Sequence, residues 1–461
     1  MTRFDDIFRR LLCLTLGVAI HPCMLLRAQE VASFADPKIK AALMEISAAQ
    51  IQSDVEKLVG FQTRSTISAQ DGASISAGRG IGAAREWIKS EFERYSRECG
   101  GCLEVKTDAF TQPVSERVPQ PVQIANVYAV LKGTNPDDAK RIVLVTGHYD
   151  SRISDPLDKA GLAPGANDDA SGTAVSLECA HVLSKLKFPG TIIFLAVAGE
   201  EQALYGSKHF AELAKAQGWD IQAVLNNDIV GGDRSPGQDP KVVRVFSESI
   251  PANTTEAQLS TIRGLGGEND SSSRELARYI VQTARTYHSE IAPLLEFRRD
   301  RYMRSGDHTS FNQQGFAAVR FTEFQENYNH QHQNVRTENG IEYGDLPKFV
   351  NFDYAANVAR LNAATLASLA SAPAPPQNVR LETKGLTNDS TLIWEAPADG
   401  RAIGYEVLWR ATAAPDWEHV QSVGKVLKAS MPVSKDNVIF GLQALDEAGH
   451  RSLPIVPVPE R

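Results

Sequence analysis

The chain is short of cysteine, of long apolar runs and of basic charge. Each shortage removes a class of function. Five cysteines in 461 residues, with a single C-x-x-C at Cys99-Gly-Gly-Cys102, provide no second pair to complete a four-cysteine zinc site. That pair is instead suited to a tight disulfide in an oxidising compartment. Cys179, in a segment expected to be helical, reads as a small core residue. The longest apolar stretch near the N-terminus, Leu11 to Ile20, is too short to span a bilayer. A net charge of −8 argues against a nucleic-acid-binding surface. No low-complexity tract is long enough to imply wholesale disorder.

The first 28 residues place Arg9-Arg10 before that apolar stretch and Leu26-Arg27-Ala28 after it. This order is that of a secretory signal peptide ending at Ala28, so the mature protein is expected to be secreted or periplasmic, with no membrane span. Asp5 and Asp6 are unusual there and leave an uncleaved anchor as the alternative. No small-residue pair precedes Cys23, which argues against a lipoprotein.

Downstream, the length predicts two domains. Helical spacing runs from Ile39 to Leu58 and from Ala83 to Tyr95. Strands are expected at Gln123 to Leu131, Arg141 to Thr146, Thr191 to Ala198, Ala223 to Asn227 and Val242 to Phe246. Helices are expected up to Leu186, from Tyr205 to Gln217 and from Leu346 to Ala370, with a long excursion from Ser235 to Ser273. The alternation predicts an α/β domain over residues 29–371, with a mixed, largely parallel central sheet flanked by helices. Residues 372–377, Ala-Pro-Ala-Pro-Pro-Gln, read as an extended, semi-rigid linker. Residues 378–461 alternate in short strands, expected to form a small all-β sandwich with Trp394 and Trp409 in its core.

The chemistry lies in acids and histidines at strand ends. Glu200-Glu201 follow the apolar run Thr191 to Ala198, where two anions are costly unless something cationic sits beside them. His148 and Asp150 are two apart in extended chain, so Asp150 can orient the His148 ring. Asp168 precedes a helix and Asp228 ends a strand. Capping accounts for one such acid, but not for several converging on the carboxyl edge of one sheet, where ligands collect in open α/β folds. Asp168, Glu201 and Asp228 with two Zn²⁺ and a hydroxide would make a neutral shell. Mn²⁺ or Co²⁺ suits the same mixed ligands.

Gly147-His148-Tyr-Asp150, Pro164-Gly-Ala-Asn-Asp168-Asp169-Ala-Ser-Gly172, Glu200-Glu201, Leu204-Tyr-Gly-Ser207 and Asn227-Asp228 resemble the secreted bacterial di-zinc aminopeptidases. The wider family includes plasma glutamate carboxypeptidase and the glutaminyl cyclases. The resemblance covers most of residues 40 to 370. It implies a zinc-exopeptidase fold and hydrolysis of N-terminal residues from peptides or proteins. It assigns two zinc ions to His148, Asp228, Glu201 and His332, with Asp168 bridging, Glu200 as general base and a cis peptide at Asp168–Asp169. His332 is favoured over His330, although Gln331 stands where relatives carry a tyrosine. Asp307-His308 also matches a family motif and reads equally as a helix start. The last 85 or so residues resemble a fibronectin type III domain, with Val438 where its tyrosine is usual. This module is a candidate for contact with a cell surface or polymer. The rival readings are a single-zinc glutaminyl cyclase, a carboxypeptidase using arginines among Arg298, Arg299, Arg301 and Arg304, and an inactive binding scaffold.

Overall fold

The computed structural model describes residues 34–460, so the leader expected over residues 1–28 lies outside the described residues. Four helices open the described residues: α1 (Pro37–Leu43), α2 (Ala48–Val59), α3 (Gly72–Ser76) and α4 (Gly80–Glu98). The single helix expected from Ile39 to Leu58 is therefore two. Ser47 explains the break: its backbone is extended and its hydroxyl accepts from the Gln50 amide, restarting the helix as an N-cap. Cys99 and Cys102 form a disulfide after α4.

The sheet begins with β1 (Leu103–Gln112) and β2 (Val122–Leu131), an antiparallel pair. β1 was not expected from the sequence. It pairs on one side only, and its half-exposed residues lack a clean apolar alternation. Then follow β3 (Arg141–His148), α5 (Ser171–Leu183), β4 (Thr191–Val197), α6 (Tyr205–Ala216) and β5 (Asp220–Asn227). The excursion carries β6 (Val242–Ser247), and also α7 (Glu256–Leu265), opened by the Thr255/Gln258 capping box. It continues into α8 (Ser272–Thr286), β7 (Ala292–Glu296), α9 (His308–Gln313) and β8 (Ala318–Glu323). A short hairpin, β9 (Arg336–Glu338) and β10 (Ile341–Tyr343), precedes α10 (Phe352–Ser371).

The eight-stranded sheet has the order β1-β2-β4-β3-β5-β8-β6-β7. Its centre, β4-β3-β5-β8, is parallel, while β2 and β6 join it antiparallel. β3 and β4 are buried along their whole length, as strands covered on both faces must be. After β3 the chain goes to one side for β4 and to the other for β5. This reversal opens a crevice at the carboxyl edge of the central strands. α5 fills the space behind that edge. It is buried all round, and α10 lies against it, with the Cys179 thiol at the Ala359 carbonyl.

The sandwich comprises β11 (Gln377–Glu382), β12 (Ser390–Glu395), β13 (Gly404–Ala411), β14 (His419–Gly424), β15 (Lys428–Met431), β16 (Val438–Leu445) and β17 (Val458–Glu460). One sheet runs β15-β12-β11-β17 and the other β14-β13-β16. Trp394, Tyr405, Val407, Phe440 and Leu442 fill its core. Trp409, the other expected core residue, packs against this core from its margin. Trp409 is only half-buried and stacks on His419, whereas Trp417, which the sequence did not single out, is buried where the sandwich meets α8. There Trp417 donates to Glu275 Oε2 (3.0 Å), Arg278 donates to the Pro415 carbonyl (2.8 Å) and Arg410 pairs with Asp270. The segment between α10 and β11 is gripped rather than free: the Ala372 carbonyl accepts from both Arg141 (2.6 Å) and Arg401 (2.9 Å).

Candidate functional site

His148 is the last residue of β3, Glu200 and Glu201 follow β4, and Asp228 follows β5. Parallel pairing therefore brings three separated segments to one edge. Asp168 arrives on the loop between β3 and α5. Close backbone contact brings that loop in. A Cβ on Gly147 would lie 2.3 Å from the Gly172 carbonyl carbon, and one on Gly172 would lie 2.2 Å from the Asn227 carbonyl oxygen. Only glycine permits the strand, helix start and neighbouring strand to approach so closely. The Asp168–Asp169 peptide is cis.

Asp168 sits between the two histidines. Its Oδ1 is 3.1 Å from His148 Nε2 and its Oδ2 is 2.8 Å from His332 Nε2. Asp228 Oδ1 is 3.9 Å from His148 Nε2 on one side, and Glu201 Oε1 is 2.9 Å from His332 Nε2 on the other. The expected ligands thus form two adjoining groups sharing Asp168. His330, the alternative to His332, turns away to pair with Asp233 and stack on Phe349. Gln331 donates to Asp168 Oδ2 (3.0 Å).

The paired glutamates differ. Glu201 is 4 % exposed and accepts from Arg152 Nε at 2.8 Å. Its carbonyl accepts from Arg117 (2.9 Å) and its amide donates to Asp150 Oδ2 (3.2 Å). Glu200 is less buried and lines the cavity. Burial and the neighbouring Glu201 and Asp228 carboxylates push its pKa well above the usual carboxylate range. Its carboxylate lies within 4.8 Å of the His148 and Asp228 donor atoms, so Glu200 borders one ligand group. For Asp168, burial acts upward, but the His332 and His148 imidazoles hold its pKa well below the usual range.

Asp150 orients both neighbours. Its carboxylate is 3.4 Å from His148 Nδ1, and its backbone carbonyl is closer to the same nitrogen (3.1 Å), so carbonyl and carboxylate share the ring. Thr66 Oγ1 donates to Asp150 (2.8 Å). Asp307 and His308 do not line the cavity. Asp307 is buried without capping α9, and His308 Nε2 donates to the Arg299 carbonyl (2.7 Å).

Several supporting residues escaped the sequence reading. Asp345 accepts from the Asn167 (2.8 Å) and Asp168 (2.7 Å) amides. Buried Arg64 donates to the carbonyls of Tyr149, Pro164 and Gly165, locking the Asp168 loop from behind. Arg320 binds Asp228 Oδ2 (2.7 Å). None carried a local signal, because each acts on backbone or acids distant in sequence.

The donor set fits metal. Four carboxylates, Asp168, Glu200, Glu201 and Asp228, converge, while Arg152 and Arg320 bring only two positive charges, so the group lacks cation. His148 Nε2 is buried without a hydrogen-bond partner, an orphan that a ligated ion would satisfy. Imidazole and carboxylate together suit zinc.

The sequence profile of peptidase family M28 matches residues 126–349, a span that contains all the expected site residues. The chain is 45 % identical over 429 residues to a probable zinc metalloprotease of Pyrenophora tritici-repentis, covering 92 % of this chain and 87 % of that protein. It is 44 % identical over 436 residues to one of Pyricularia oryzae, covering 93 % and 86 %. These relatives are fungal, which corrects the bacterial affinity expected from the motifs. Among solved structures, the Legionella pneumophila LapA aminopeptidase aligns with a TM-score of 0.51 at 23 % identity, over 75 % of this chain and 78 % of that one. A Macrostomum lignano glutaminyl cyclase aligns with a TM-score of 0.51 at 15 % identity, over 74 % and 94 %. At such identities these two likenesses bear on the fold alone.

Proposed function

We propose that this chain, which belongs to peptidase family M28, is an exported zinc-dependent exopeptidase that removes N-terminal residues from peptides. The carrying observation is the Asp168 carboxylate set between His148 and His332, with Asp228 and Glu201 flanking it. His148 and Asp228 would hold one zinc ion, Glu201 and His332 a second, and Asp168 both. Zinc, when bound, supplies an acidified water and a polarised carbonyl. Glu200 takes the proton from the attacking water and delivers it to the departing amine. Asp150 fixes the His148 ring and the Glu200–Glu201 turn through its carboxylate, so it positions and does not exchange protons. Arg152 and Arg117 hold Glu201 in place, which leaves Glu200 as the member of the pair without an ion-pair partner among the described residues.

The test is release of free amino acids from a peptide panel with and without chelator, alongside zinc stoichiometry. Chelator-sensitive release from free N-termini with two zinc ions per chain is the expected result. One zinc per chain with pyroglutamate formation would establish a cyclase instead. Metal-free protein that stays inactive after zinc addition would favour a binding scaffold.

A further inference from the structure

The cavity over the site has a volume of about 780 Å³. Its ionisable lining divides into two layers. Asp168, Glu200, Glu201 and Asp228 form the floor with His332, and on the reading above bound cations offset their charge. The other charged residues of the lining are Arg117, Arg152, Arg301, Arg304 and Glu116. Four guanidinium groups therefore stand against one carboxylate.

Two of the four are already engaged by acids. Arg152 is spent on Glu201. Arg301, its side chain 8 % exposed, is held between Asp300 (3.0 Å) and Glu326 (2.9 Å). Arg304 is different. Its side chain is 32 % exposed and its one acidic partner is Glu326 (2.8 Å), a buried carboxylate shared with Arg301 and Arg244. Among the described residues nothing bonds its Nε or Nη2. Asp300 and Glu326 are two carboxylates against Arg244, Arg301 and Arg304, so one guanidinium charge is left over, and Arg304 is the most exposed of the three. Arg117, exposed on the loop between β1 and β2, makes its hydrogen bond to a neutral carbonyl, and Glu116 beside it is the one other acid of the lining. A concave site of one sign concentrates the opposite one, and the guanidinium fork matches a carboxylate.

We propose that Arg304, with Arg117, selects substrates carrying a carboxylate beside the scissile bond. The proposal deepens the peptidase reading and rests on cations offsetting the floor. The carboxylate can come from an acidic side chain or from a free C-terminus, and the experiment separates the two. Zinc-loaded full-length protein is titrated calorimetrically with glutamate, leucine and leucinamide. Glutamate against leucine reports the side-chain carboxylate; leucine against leucinamide reports the terminal one. The favoured ligand should bind about tenfold tighter or better in at least one pair, the scale of a charge-assisted hydrogen bond. Arg304→Gln, and independently Arg117→Gln, should shrink that margin severalfold, while the control Arg336→Gln keeps it. Cleavage is followed in parallel with Glu-Ala-Ala-amide against Leu-Ala-Ala-amide, and with Ala-Ala-Leu as acid against amide. Margins within about twofold in both ligand pairs, or margins untouched by both variants, would overturn the proposal. Cleavage without a margin removes this inference and leaves the peptidase; a margin without cleavage of any peptide removes the peptidase and leaves this inference.

Discussion

Glu200 and Glu201 are adjacent and isoelectronic substitutions at the two should part company. Glu200→Gln removes a proton acceptor and keeps the volume. The expected loss in kcat is roughly 10²–10⁴-fold, the usual contribution of a general base, or about 3–5 kcal/mol of barrier. Because His148, Asp168, Glu201, Asp228 and His332 remain, zinc content should stay at the wild-type value. Glu201→Gln perturbs more. Its carboxylate is buried and faces Arg152 at 2.8 Å and His332 at 2.9 Å. The amide leaves Arg152 without its anion. Stripping one partner from a buried pair costs about 3–5 kcal/mol, and less here because the Arg152 side chain is 17 % exposed. Zinc content should fall and thermal stability with it. The assay is metal analysis, single-turnover hydrolysis and thermal unfolding on both variants from one preparation scheme. A Glu200→Gln protein that turns over near the wild-type rate, or loses zinc as Glu201→Gln does, would refute the division of labour.

Asp345→Asn should loosen the Asp168 loop, since an amide cannot accept equally well from both the Asn167 and Asp168 backbone donors; about 1–3 kcal/mol of stability and weaker zinc binding are expected by denaturant unfolding and competitive chelation. Trp417→Ala removes a buried ring and the donor to Glu275, with an expected cost of about 3–5 kcal/mol; unchanged urea unfolding would show that the sandwich is not docked as described. Asp54 is buried, with Gln50 bonding one oxygen and none bonding the other, and burial raises its pKa from 3.8 to about 8. The folded state then binds a proton that the unfolded state releases, so stability is fully present below about pH 4 and is lost as pH rises towards 8. Asp54→Asn should therefore gain on the wild type between pH 5 and pH 8 in urea unfolding, and a constant difference would contradict it.

The acids and histidines at strand ends were legible because chemistry concentrates them where an apolar strand stops, and Glu200-Glu201 after Thr191 to Ala198 is the plainest case. The central strands and α6 were equally readable, since burial on both faces or on one stripe leaves a periodic trace. β1 was not, because an edge strand half-exposed on both faces has no period to detect. α7 was lost among polar residues: none of its residues is buried, so no apolar stripe was required. Arg64, Asp345 and Arg320 lie beyond any local reading. Each bonds groups far away in the chain, and only the folded topology makes them neighbours. The choice of His332 over His330 rested on resemblance; in the structure His332 stands beside Asp168 and Glu201, while His330 pairs with Asp233 and stacks on Phe349.

Arg401 lies in the sandwich, yet its guanidinium reaches Asp138, the Ser371 and Ala372 carbonyls at the end of α10, and Asp446. During synthesis these groups of the peptidase layer exist well before residue 401 leaves the ribosome. Until then the Ser371 carbonyl waits for a donor that is still unmade, while the Ala372 carbonyl has Arg141 alone. The end of the closing helix is therefore completed by the final module, and a nascent chain cut short at Ser371 would carry all the candidate site residues but lack that donor.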